Sequence, residues 1–104
     1  MEHKFIFICR DDHLRAHQLD RVLKRVAPGS DIICVDTVTE GAACTVLLAR
    51  SLIDNQRPLM IANCDQFIDI NIDDYLAAFD SDAVDGMIMT MSASDEKWSF
   101  VRLD

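Results

Sequence analysis

Three polar side chains, Asn63, Asp65 and Gln66, follow the apolar run Pro58-Leu59-Met60-Ile61-Ala62, with Cys64 among them. A carboxylate flanked by amide oxygens suits a hard cation such as Mg²⁺, which is usually held by one or two carboxylates together with substrate phosphates. The same aspartate could instead cap its own loop in an Asx-turn, and spacing leaves both readings open. A second group is Glu40-Gly41-Ala42-Ala43. Gly and Ala carry almost no side chain, so a flat ligand can approach the backbone there; equally, small residues let a buried helix pack closely. His13 and His17 have the one-turn spacing of a metal-binding pair, but no third ligand accompanies them and a solvated helix face explains them as well. Trp98-Ser99 could wall a pocket or close the core. Asp69, Asp73, Asp74, Asp80, Asp82 and Asp85 are spread over loop, cap and turn, which fits a solvated surface better than a second metal site.

The elements that must hold these residues follow from periodicity. Lys4–Cys9 is a continuous β-prone apolar run and predicts a buried strand. Asp11 or Asp12 can cap the helix expected from His13 to Ala27, where Leu19, Val22, Leu23 and Val26 keep helical spacing and Pro28-Gly29 marks the stop. Ser30–Thr37 predicts a second strand. Thr37-x-x-Glu40 has capping-box spacing, ahead of a helix over Gly41–Ile53 that is apolar almost all round and therefore packed on both sides. Asp54–Arg57 is a polar loop. Leu59–Ala62 shows no polar alternation, as in a parallel strand covered on both faces. Asn71 is a good N-cap for a helix running to about Asp80, followed by a turn over Asp82–Gly86 and strands over Met87–Met91 and Trp98–Leu103. The order βαβαβαββ predicts an α/β fold with a mostly parallel sheet. In such sheets ligands bind beyond the carboxyl ends of the strands, where Asp65 falls.

Composition narrows the function classes. The 104 residues suffice for one small domain. Half are hydrophobic and three are glycine, which is a globular composition. Ten basic residues stand against eighteen acidic ones, a formal charge of −8. That balance argues against a nucleic-acid surface, because phosphate binding needs a basic patch, and against a basic membrane-binding face. Cys9, Cys34, Cys44 and Cys64 form no CxxC and match no zinc module. They are expected as small buried hydrophobes in a reducing cytosol. The start MEHKFIFICRDDH does not have the build of a signal peptide, and a cytoplasmic location is expected.

The segments VDTVTEGAACTVLLARSLID and PLMIANCDQFID resemble the middle of the sugar-phosphate nucleotidyltransferases, and most of all their bacterial capsule-related branch, with its similar TEGAA…LIANSDQ pattern. The resemblance runs over nearly the whole chain. It implies a three-layer, Rossmann-like sheet similar to the GT-A glycosyltransferases. It also implies the family reaction, in which a sugar 1-phosphate attacks the α-phosphate of a nucleoside triphosphate to give a nucleotide sugar and pyrophosphate. By the same resemblance Glu40, Gly41 and Ala42 meet the base, and Asn63 belongs to the nucleotide pocket. Asp65 is the catalytic acid that holds Mg²⁺, and Gln66, Trp98 and Ser99 lie towards the sugar phosphate.

The departures from the family define a further expectation. The family's glycine-rich phosphate loop has no counterpart, since the glycines are Gly29, Gly41 and Gly86. The later Glu-Lys pair and second metal-binding aspartate are also not found. The resemblance therefore implies residues 1–104 as a partial nucleotidyltransferase domain, inactive by itself, with a gap in its sheet between Phe5–Cys9 and Leu59–Ala62. An open apolar strand edge invites association, so self-association through that gap is expected. Two other readings remain: a glycosyltransferase-like domain holding a finished nucleotide sugar, and a non-catalytic assembly module.

Overall fold

A computed structural model of the chain describes residues 2–81 and 83–104; Asp82, the first residue of the expected 82–86 turn, lies outside the described residues. The elements run β1 (Ile6–Arg10), α1 (Asp11–His17), α2 (Leu19–Val26), β2 (Asp31–Val35), α3 (Ala42–Leu47), α4 (Arg50–Ile53) and α5 (Ile72–Ser81). They fall into two compact units, Met1–Ala62 and Asn63–Asp104. The chain is mixed α/β, and its sheet is the parallel pair β1–β2.

In the first unit the apolar runs IFICR and DIICV pair in parallel, with Phe7 opposite Ile32 and Cys9 opposite Cys34 on one face, and Ile8 opposite Ile33 and Arg10 opposite Val35 on the other. The entry is pinned by the Asp31 N–H donating to the Phe5 carbonyl at 3.0 Å and by a Lys4–Asp31 ion pair at 2.8 Å. The helix expected over His13–Ala27 is two helices. Gln18 sits in the left-handed region at φ 49°, ψ 43°. Its N–H closes α1 on the Leu14 carbonyl, and its own carbonyl opens α2 by accepting from Arg21 and Val22. The break has a packing reason. Leu14 and Leu19 are five apart, out of helical phase, and the extra turn lets Leu14, Leu19 and Leu23 all become half-buried. Asp11 and Asp12 stand inside the first turn of α1 rather than capping it. The Pro28-Gly29 stop is realised: α2 ends at Val26, and Gly29 turns the chain at φ +81°. Lys24 donates to the Ser30 carbonyl across this turn.

The helix expected over Gly41–Ile53 is also divided, into α3 and α4, around Leu48 and Ala49. Ala49 is 2% exposed, yet Leu47 is 63% exposed and Leu48 and Leu52 are also exposed. The expectation of a helix packed on both sides is therefore corrected. A two-stranded sheet does not offer enough surface to cover an all-apolar helix. The capping box does not form either. Gly41 is the N-cap, and no side chain caps it, while the Thr39 hydroxyl turns to the Gly41 carbonyl and to Thr45.

In the second unit α5 begins as its sequence predicts, with the Asn71 side chain accepting from the Asp73 N–H at 3.0 Å. Tyr75, Leu76, Ala78 and Phe79 make its half-buried stripe, and the Tyr75 hydroxyl donates to the Met87 carbonyl at 3.4 Å. Three expected strands are corrected. Leu59–Ala62, Met87–Met91 and Trp98–Leu103 are not in a sheet, so the order βαβαβαββ is not observed. The physical reason is that a strand is completed by the neighbour that satisfies its N–H and C=O groups, and these runs have no ladder partner among the described residues.

Little of the chain is covered. The buried apolar residues among those described are Ala27 and Ala49. Among the described residues no helix is long and apolar enough to cross a membrane.

Candidate functional site

The parallel pair ends at Arg10 and Val35, and a cleft of about 220 Å³ opens beyond these carboxyl ends. Its apolar lining comes from Ile8, Val35 and Val38, and its polar lining from Arg10, Thr37, Thr39 and Thr45. This is where an open parallel sheet receives a ligand. The register explains it: Ile8, Arg10 and Val35 share the sheet face opposite Cys9 and Cys34. Arg10 donates two hydrogen bonds to Asp12, at 3.0 and 2.7 Å. Partial desolvation pushes the Asp12 carboxyl up, but the Arg10 guanidinium, together with the backbone N–H and charge of His13, outweighs it and holds the group below its ordinary value.

Glu40, Gly41 and Ala42 are exposed at the entry to α3. They adjoin the cleft through Thr39, whose hydroxyl donates to the Gly41 carbonyl at 3.1 Å. Gly41 is extended at φ 175°, and a methyl group built on it would meet nothing within 4 Å. The backbone is therefore open to a flat ligand. Arg10 and Thr45 are polar lining residues that spacing did not single out. Arg10 was legible in principle, because it directly follows the strand run KFIFIC and so stands at a carboxyl end.

The remaining candidates belong to the second unit. Asn63, Asp65 and Gln66 are all exposed on a bend, and the Asn63 amide donates to the Gln66 side-chain oxygen at 3.4 Å. The Asp65 carboxylate accepts no hydrogen bond among the described residues, so the Asx-turn alternative is not what holds it. Its surroundings offer one carboxylate and two amide oxygens. Among the described residues no group of three or more His, Cys, Asp or Glu side chains converges to hold a metal. Trp98 and Ser99 follow a turn in which Asp95 accepts from the backbone N–H groups of Lys97 and Trp98. The Lys97 ammonium lies 5.1 Å from the Trp98 ring centre. Trp98, 37% exposed, does not close a core.

Other sequence candidates resolve simply. His13 and His17 are exposed on α1. The cysteines are not the buried set expected: Cys34, Cys44 and Cys64 are exposed and Cys9 is half-buried. The Cys34 thiol donates to Asp11 at 3.3 Å. That hydrogen bond, with desolvation and the charges of Asp11 and Asp36, raises the thiol above its ordinary value against the pull of Arg15.

Comparison with protein-family models, with curated proteins and with solved structures finds no match to this chain.

Proposed function

We propose that the chain is a core portion of a sugar-1-phosphate nucleotidyltransferase, of Rossmann-like architecture and cytoplasmic. The observation that carries this is the cleft beyond the carboxyl ends of β1 and β2, bordered by the open Glu40-Gly41-Ala42 backbone. In this reading the small residues admit the planar base, and Glu40 accepts from its N–H groups. Arg10 and the threonines bind the polar remainder of the nucleotide. Asp65, with Asn63 and Gln66, would hold Mg²⁺, which when bound offsets the charge of the triphosphate. Trp98 and Ser99 serve the sugar phosphate.

The chain is expected to bind nucleotide without turning it over, because it has no glycine-rich loop to cradle the triphosphate. Calorimetry with each nucleoside triphosphate and Mg²⁺ tests the proposal. Binding by the wild type, with its Mg²⁺-dependent part lost in Asp65→Asn, is expected. A wild-type chain that binds no nucleotide would overturn it, and pyrophosphate release with any sugar 1-phosphate would overturn the claim of inactivity.

The proposed partner is a second copy of the chain. Leu59, Met60 and Ile61 are each at least half exposed in an apolar run without polar alternation. Strand exchange between copies would complete their hydrogen bonding. Sedimentation is expected to show concentration-dependent association, and a monomer at all concentrations would exclude it.

A further inference from the structure

Cys9 and Cys34 stand directly opposite one another in the β1–β2 register. Directly opposed residues in a parallel pair point to the same face, and neighbouring strands run about 4.7–4.9 Å apart. That spacing lies inside the usual Cα separation of a disulfide, about 4.4–6.8 Å. The chain carries both residues as thiols. Cys34 is exposed, and its proton is already directed at the Asp11 carboxylate at 3.3 Å. Cys9 is half-buried beside it. Position in the fold and exposure thus coincide at one point of the sheet.

We propose that Cys9 and Cys34 form a thiol–disulfide site that closes to an intrachain bond on exchange with a low-molecular-weight disulfide of the glutathione type. The exposed Cys34 sulfur attacks the small disulfide. The S–S bond breaks and one small thiol leaves; the Cys34 proton goes to water, and the departing sulfur takes a proton from water. The Cys9 sulfur then attacks the Cys34 sulfur of the mixed disulfide and expels the second small thiol, which takes up the Cys9 proton. Two protein thiols are oxidised, and one small disulfide is reduced to two thiols. The intrachain bond, exposed at Cys34, is open to reduction by small thiols. It ties the strands together one residue before Arg10 and Val35, both of which line the cleft.

The test is peptide mapping of the full chain after incubation with excess oxidised glutathione and alkylation of the remaining thiols. Cys34 and Cys44 share one tryptic peptide, between Arg25 and Arg50, so the experiment is also run on a Cys44→Ser, Cys64→Ser double variant. An intrachain Cys9–Cys34 link in both proteins is expected, reversed by reduced glutathione. In Cys9→Ser a glutathione adduct should persist on Cys34. A persistent Cys34 adduct in the wild type overturns the proposal. So does a predominant link through Cys44 or Cys64, or a link formed between chains.

Discussion

Adding one methyl group at Gly41 distinguishes a glycine kept for a ligand from one kept for the fold. At Gly41 the backbone is extended, φ 175° and ψ 175°, and the new Cβ would have no neighbour within 4 Å. Among the described residues no atom blocks Gly41→Ala; the loss of unfolded-state freedom stabilises by about 0.4–1 kcal/mol, and the poorer fit of alanine at an N-cap offsets part of that. Gly29 is the internal control. Its Cβ would also meet nothing within 4 Å, but its φ is +81°. Gly29→Ala therefore costs about 1–2 kcal/mol from the backbone alone. The two substitutions differ in sign although their surroundings are equally empty. In urea, with a slope of about 1–3 kcal/mol per molar, the two midpoints should separate by roughly 1 M. If the nucleotide base lies on the Gly41 backbone, the same methyl occupies its place, and triphosphate affinity should fall at least about tenfold, or 1.4 kcal/mol. Gly29→Ala should leave affinity unchanged under conditions where the protein stays folded. A Gly41→Ala protein that binds like the wild type would refute the base-contact reasoning. A midpoint lowered as far as that of Gly29→Ala would refute the structural half.

Ser30 is 2% exposed, and its hydroxyl has no hydrogen-bond partner. Ser30→Ala keeps the backbone bonds and removes an unsatisfied group, so stability should rise by about 1 kcal/mol, or roughly 4–8 °C in Tm; a lower Tm would show that the hydroxyl has found a bound water. Asp12 titrates below its ordinary value of 3.8 because Arg10 and His13 outweigh its desolvation. A depressed carboxylate adds stability that is complete above the unfolded value and is lost as pH falls through the folded one. Asp12→Asn should therefore flatten the stability profile below about pH 4 and leave it unchanged near neutrality in shape; an unchanged acid limb would show that the Arg10 pair contributes nothing.

The first unit was legible where local pattern and local partner agreed. KFIFIC and SDIICVDT each combine β-branched and apolar residues with a firm stop, and each found the other across the α1–α2 connection. Pro28-Gly29 and Asn71 acted through their own backbone and were equally readable. Gln18 was not. Nothing about glutamine announces a left-handed residue, and only the five-residue step from Leu14 to Leu19 hints at a change of phase. The cysteines lie among apolar neighbours in sequence that do not cover them in space. Cys34 lies mid-run in DIICV and is nevertheless exposed, on the face that turns towards Asp11. Residue size singles out Glu40–Ala42, and its place after an apolar run singles out Asp65. Arg10 and Thr45 belong to no motif, and Thr37 is legible only as a cap; the cleft they line is a product of pairing, not of spacing.

The runs at 59–62, 87–91 and 98–103 show the limit of such inference more sharply than the residues that were merely overlooked. Their composition is as strand-like as that of β1, yet Ile61, Ile88 and Phe100 are each more than 60% exposed. Hydrophobicity fixes the free energy to be gained by covering a segment, about 25 cal/mol per Å² of apolar surface. It says nothing about which surface does the covering. A strand needs in addition a specific edge, in register, to satisfy its backbone groups. β1 and β2 supply that edge to each other within one unit. The later runs have the apolar gain but no edge among the described residues. The same pattern that accompanies a paired strand in one place thus accompanies, in the other, a run with no paired edge among the described residues.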